Sequence, residues 1–146
     1  PSSPTKMAIG LLFVGLGFLW IAFGVNNVQP GAKVSMIWLV LLYAIHTSGE
    51  LCLSPIGLSL VNKLAPYKFA SLLMAVWFTA NAFGNKLAGS LSALYPEPGK
   101  TTSFLGYQVT NLYDFFMLFV FMSGVAAFLL FLLTRKLQKM MVPANA

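Results

Sequence analysis

Charge is what this sequence has least of. Only 8% of its 146 residues are charged and three of them are acidic, against 58% hydrophobic, and the mean hydropathy is +0.81. A water-soluble domain of this length cannot expose so little polar surface, so the chain is read as an integral membrane protein. Cysteine is almost absent as well. Cys52 stands alone, which excludes an intrachain disulfide. One histidine and three scattered carboxylates offer no metal-ligand spacing, and neither a nucleotide loop nor a nucleophile triad is present. No enzyme, no metal and no other cofactor is expected.

The net charge of +6 would suggest nucleic acid in a soluble protein, but here the cations flank apolar runs, and no nucleic-acid partner is expected. The runs are residues 7–25, 34–60, 69–94 and 115–133, each long enough for the roughly 17–25 residues a membrane helix needs. The expected fold is all-α, with four transmembrane helices and no separate soluble domain in residues 1–146. With helices alternating in direction, Lys6, Lys63, Lys68, Arg135, Lys136 and Lys139 share one side, and Lys33 and Lys100 the other. The excess assigns the first side, with both ends of the chain, to the cytoplasm. The opening "PSSPTK" carries neither an initiator Met nor a signal sequence and is read as the interior of a longer protein.

Gly10, Gly17 and Gly24 recur every seven residues on the first helix, aligning on one face where another helix backbone could approach closely. "NNVQPGAK" then makes a polar turn. In the second helix Glu50 lies about 24 Å from the start, near the bilayer midplane. A carboxylate there costs at least about 2.5–3.5 kcal/mol, which packing alone does not justify. Glu50 is therefore the strongest functional signal, a cation or proton site, against the plainer reading of a charge paired with a lysine to hold helices together. His46, Glu50 and Ser54 follow at four-residue spacing, and Tyr43 extends the row. Such a polar face suits a water-filled path, although His46 alone serves equally well as a structural hydrogen-bond donor. Pro55, flanked by Gly49 and Gly57, removes one helix hydrogen bond and predicts a bend just below Glu50.

On the third helix Trp77 sits about 12 Å from the cytoplasmic end, deeper than the usual interfacial belt. Packing explains it as readily as a ligand wall. Asn81 and Asn85 continue its row, beside a stripe of small residues, Ala80, Gly84, Ala88 and Ser92. Lys86 is read as snorkelling outward. The loop "YPEPGKTTSFLGYQVTN" is expected to be polar and turn-rich. The last helix has no ionisable residue from Phe115 to Leu133 and reads as scaffold.

"GELCLSPIGLSLVNKLAP" (Gly49 to Pro66) followed by "VWFTANAFGNKLAG" (Val76 to Gly89) resembles the proton-dependent oligopeptide transporters of the major facilitator superfamily. The shared pattern is a membrane glutamate, a Ser-Pro four residues on, and a Trp-Phe pair in the next helix. The two stretches look like the tenth and eleventh helices of that twelve-helix fold, which makes this chain a C-terminal segment spanning the ninth to the twelfth. The tail "KMMVPANA" adds nothing to the likeness. The resemblance implies proton-coupled symport of di- and tripeptides by alternating access, in the inner (plasma) membrane. It implies that Glu50 holds the peptide amino group and takes part in proton coupling, that Ser54 and Asn81 face the pocket, and that Trp77 packs along the peptide. Leu58 matches a cytoplasmic-gate residue, next to the bend at Pro55. The family's first-helix glutamates and arginine, fourth-helix lysine and eighth-helix asparagine would all lie upstream of Pro1. The partners implied are thus peptides, protons, the lipid bilayer and the N-terminal helices of the same transporter. Two other readings stay open: a self-contained four-helix exporter of hydrophobic cations, and a membrane assembly subunit without transport.

Overall fold

A computed structural model describes residues 2–29 and 31–141. Pro30 of the first turn and the tail beyond Met141 lie outside the described residues. Four helices appear in order: α1 (Ser3–Gly24), α2 (Met36–Leu64), α3 (Ala70–Ser92) and α4 (Leu112–Met141). A single 3-10 turn, Tyr67–Phe69, precedes α3, and a two-stranded hairpin, β1 (Thr102–Phe104) and β2 (Tyr107–Val109), precedes α4.

The helix ends follow local chemistry. α1 starts four residues before the apolar run because Ser2 caps it, its hydroxyl accepting the Thr5 amide at 3.4 Å, and because Pro4 in the first turn donates no amide the helix needs. α2 passes Leu60 and stops at Leu64, since Ala65 precedes Pro66 and is pushed to extended backbone, ψ 124°. Asn111 opens α4, its Oδ1 accepting the Asp114 amide at 2.9 Å, while Asp114 in the first turn complements the positive helix end. Past Leu133, α4 runs on through Arg135, Lys136 and Lys139.

The four expected helices are present. Among the described residues three of them, α1, α2 and α4, are long and apolar enough by themselves to cross a membrane. The third, α3, has the length at 23 residues, but Thr79, Asn81, Asn85, Lys86, Ser90 and Ser92 dilute its apolar character. The loop after α3, expected to be polar and turn-rich, also contains the hairpin, with Phe104 opposite Tyr107. Leu105 (φ 47°) and Gly106 (φ 86°) are both left-handed, the geometry of a type I′ turn that matches strand twist. Leu105 is fully in the open there.

α1 is the centre of the packing, with α2 on one side and α4 on the other, and among the helices α3 packs against α2 alone. Phe18 of α1 bridges both neighbours, stacked on Phe119 of α4 at 5.1 Å and edge-on to His46 of α2 at 4.6 Å. The glycine row of α1 is the seam with α2. Gly10 meets the backbone of Gly49, Gly17 meets the His46 ring and Gly24 meets the Trp38 ring, so all three face α2 as the seven-residue spacing expects, but the backbone-to-backbone approach is realised only at Gly10. This contact order also fixes α1 and α2 as antiparallel. Elsewhere the surface is apolar, with Phe78, Phe83, Phe121, Phe128 and Phe131 all largely exposed, as a bilayer or further helices would require.

Candidate substrate-binding site

Glu50 follows Gly49, and Gly49 is buried against Gly10. A helix turns about 100° per residue, so the close crossing that seats Gly49 on α1 aims Glu50 away from α1, and Glu50 is exposed. Among the described residues its carboxylate makes no ion pair and no hydrogen bond, the one ion pair being Lys100–Glu97 at 2.8 Å in the loop after α3. Among the described residues no lysine meets Glu50. Ser54, one turn below, is also exposed. Ser48, Thr79 and Ser90 return their hydroxyls to their own helices at 2.8–3.1 Å, whereas no such bond is made by Ser54 among the described residues.

His46 leaves this face. Its Nε2 donates to the Val14 carbonyl at 3.1 Å, and its ring fills the notch at Gly17. It is half-buried between α1 and α2 and acts as the structural donor, because a four-residue step turns the helix by about 40°, from Glu50 toward the α1 seam, and a large ring there finds a carbonyl to satisfy it.

Gly57 is seven residues, two turns or about 10 Å, beyond Glu50 and therefore on the same face. The indole of Trp77 rests on it. Around this contact an apolar groove of about 270 Å³ opens between α2 and α3, lined by Val61, Leu64, Leu73, Val76, Trp77 and Ala80. Trp77 is thus a packing residue at the joint and a groove wall at once. α3 returns antiparallel to α2 through the short turn at 65–69, so Asn81 and Asn85, one and two turns beyond Trp77, rise toward the level of Glu50. Both are exposed. Of the small-residue stripe beside them, Ala80 lines the groove with α2, while a methyl group at Gly84 would touch nothing within 4 Å. Leu58 and Pro55 are exposed, and α2 continues unbroken through Pro55.

A second, larger cleft of about 430 Å³ lies at the other end of the helices, lined by Val28, Tyr95, Glu97, Lys100, Thr110 and Asn111 among others. It holds none of the residues singled out above, and the Glu97 carboxylate there is already met by Lys100. Its wall is pinned by the hairpin. Thr110 donates its hydroxyl to Asp114 at 2.6 Å, and Tyr107 donates to the Asp114 carbonyl at 3.2 Å. Burial first, then the charges of Asp114 and Tyr113, raises the Tyr107 phenol above the ordinary tyrosine value. This region is built as a cap.

The lining residues Val61, Leu64 and Leu73, and the seat at Gly57, were not legible as site residues. Apolar residues crowd every helix here, so only contact with an aromatic ring distinguishes them.

A carboxylate exposed deep in an apolar helix, without an ion pair among the described residues, thus stands above an aromatic-walled groove on helices with apolar outer faces, the make-up of a segment of a polytopic membrane protein. Residues 1–110 match the POT family, and the chain belongs to that family. It is 44% identical over 91 residues to the peptide transporter YePEPT of Yersinia enterocolitica, covering 61% of this chain and 18% of that protein. It is 31% identical over 137 residues to the dipeptide and tripeptide permease A of Edwardsiella piscicida, covering 94% of this chain and 28% of that one. In three dimensions it resembles a mutant of the peptide transporter POT solved in complex with alafosfalin. The TM-score is 0.79 at 35% identity, over 97% of this chain and 26% of the other. The chain therefore spans between just under a fifth and a little over a quarter of the length of these relatives.

Proposed function

We propose that this chain is the C-terminal four-helix segment of a symporter that carries di- and tripeptides together with protons by alternating access. What supports this reading is the Glu50 carboxylate, exposed and unpaired on the face of α2 that also bears Ser54 and the Trp77 seat. A peptide ammonium taken out of water needs a fixed opposite charge, and a carboxylate that can also accept a proton links occupancy to protonation. Ser54 and Asn81 supply polar contacts along the peptide, Trp77 packs against its side chains, and the N-terminal helices of the transporter close the site from the other side. The protein resides in the inner (plasma) membrane with both ends of this segment cytoplasmic, following its basic flanks. The matches are to parts of much longer transporters, which favours a segment over a self-contained exporter or an assembly subunit.

The test is uptake of a labelled dipeptide by the full transporter in proteoliposomes. Accumulation should require an inward proton gradient, and Trp77→Ala should weaken peptide binding roughly tenfold, in line with loss of an aromatic anchor. Uptake without any response to the gradient would refute symport. An affinity unchanged in the Trp77 variant, on protein with a wild-type melting temperature, would leave Trp77 a packing residue only.

Gating is assigned to the lower half of α2. Pro55 cannot donate to the Leu51 carbonyl, so the helix is weakest one turn below Glu50, and Leu58 lies just beyond that point. A spin label at Asn62, exposed at the foot of α2, paired with one on a cytoplasmic loop of the N-terminal half, should give distances that shift with peptide and pH. One narrow distance under every condition, in protein that transports, would make Pro55 a static feature.

A further inference from the structure

Gly57 is glycine for no reason of its own backbone. It lies inside α2, where the chain is regular helix, and among the described residues the glycines with positive φ are Gly31, Gly99 and Gly106. Alanine suits a helix interior better. What requires glycine here is one ring. The three atoms nearest to a Cβ placed on Gly57 all belong to Trp77, Cη2 first, then Cζ2 at 2.8 Å and Cζ3 at 3.2 Å, closer than the roughly 3.5–4.0 Å of ordinary carbon contact. Gly57 is buried beneath that outer edge of the indole.

The seat lies in line with Glu50. Seven residues turn a helix to within about 20° of two full turns and advance it by about 10 Å, so the seated ring crosses the Glu50 face at that distance along α2. An extended peptide rises about 3.3 Å per residue. A peptide that begins at Glu50 and runs down this face therefore reaches the ring after roughly three residues. Beyond the ring the space is open and apolar. The groove of about 270 Å³ is lined by Val61 and Leu64, which follow Gly57 toward the turn, and by Leu73 and Val76, which precede Trp77 on the returning helix. An indole driven off α2 gains apolar surroundings by swinging into that groove, whereas the opposite swing carries it toward a carboxylate.

We propose that Gly57 determines the length of peptide the site accepts, by seating Trp77 across the Glu50 face as a stop after the third residue. The inference rests on the reading of Glu50 as the partner of the peptide ammonium. Gly57 is a positioning residue, acting on the peptide only through the Trp77 ring. A ring that merely joins two helices would fill the same notch, but disturbing it would weaken peptides of every length alike. A stop discriminates among them. The fourth residue of a tetrapeptide collides with the seated ring and passes it once the ring has swung aside.

The experiment uses the full transporter in proteoliposomes, with uptake of labelled di-alanine under an inward proton gradient and competition by unlabelled tri-alanine or tetra-alanine. In the wild type tri-alanine should compete at least roughly tenfold better than tetra-alanine, the scale on which a closed pocket rejects a group too many. Gly57→Ala should erase most of that difference. Trp77→Phe, which removes the seated edge without adding an atom to α2, should erase it as well, and it decides the matter if alanine at position 57 prevents folding. On the Trp77→Phe background Gly57→Ala should change the ratio no further. A wild type that binds both peptides equally would overturn the proposal, as would folded single variants that keep the wild-type ratio or lose affinity equally for both lengths. A further change on the Trp77→Phe background would show Gly57 acting other than through the ring, and would overturn it too. If the wild type takes up no di-alanine under the gradient, the reading of the site fails and this inference with it, whereas normal uptake with unaltered ratios defeats the inference alone.

Discussion

Replacing Glu50 by glutamine should abolish proton-driven peptide uptake while leaving the protein folded. Glutamine keeps the size and the hydrogen-bonding reach of glutamate but removes the charge and the capacity to take up a proton. The side chain is exposed and makes no hydrogen bond or ion pair among the described residues, so no polar link in the α1–α2 seam depends on it. A peptide ammonium left without its counter-charge in a desolvated site loses on the order of 2–5 kcal/mol. That corresponds to a fall in affinity of roughly thirtyfold or more. The effect should be confined to peptides with a free amino terminus. An N-acetylated dipeptide, which carries no ammonium, should bind the wild type and the Glu50→Gln variant with similar weakness. Uptake at the normal rate under a pH gradient would remove Glu50 from the site, and an equal loss for acetylated and free peptides would assign it a role other than meeting the ammonium.

How much of this could be read in the sequence depends on what kind of signal each residue carries. Glu50 was legible because a carboxylate within a membrane helix has a large energetic cost wherever the helix is placed. The glycine row of α1 was legible because a seven-residue repeat returns to nearly the same face, and only glycine lets two backbones meet. His46 misled, since four-residue spacing put it in the Glu50 row while its ring swings into the Gly17 notch to reach the Val14 carbonyl. A helical wheel resolves faces to about a quarter turn, and a long side chain crosses that margin. The hairpin was hidden because each of its strands is only three residues long, and strand pairing is a contact between segments rather than a property of either. The small-residue stripe of α3 points to close packing, but beyond Ala80 the partner helix is not among the described residues, so neither sequence nor structure names it here.

The seam between α1 and α2 should tolerate no added methyl group at its crossing point. A Cβ on Gly10 would lie 2.9 Å from the Gly49 carbonyl oxygen and 3.0 Å from the Cys52 Cβ, and a Cβ on Gly49 would lie 2.9 Å from the Gly10 carbonyl oxygen. Each added Cβ meets a backbone carbonyl oxygen, joined at Gly10 by the Leu53 Cγ at 2.9 Å, and a carbonyl cannot rotate aside as a side chain can, so the helices must separate. Alanine gains about 0.5–1 kcal/mol over glycine within a helix. Overpacking of this kind costs about 1–3 kcal/mol, so Gly10→Ala and Gly49→Ala should each lower the melting temperature of the full transporter. Gly15→Ala on the same helix is the control, since its Cβ would meet only the Ser123 Cβ at 3.5 Å, an ordinary contact, and stability should hold or rise. The two damaging changes oppose each other across one gap, so once the first has parted the helices the second finds room. The double variant should therefore lose less than the sum of the singles. Because Gly49 directly precedes Glu50, parting the helices also moves the carboxylate. Peptide uptake by Gly49→Ala should fall even at a temperature where the protein is fully folded. Additive losses would mean that the two glycines do not share a contact. Unchanged uptake would mean that the site tolerates movement of α2 against α1.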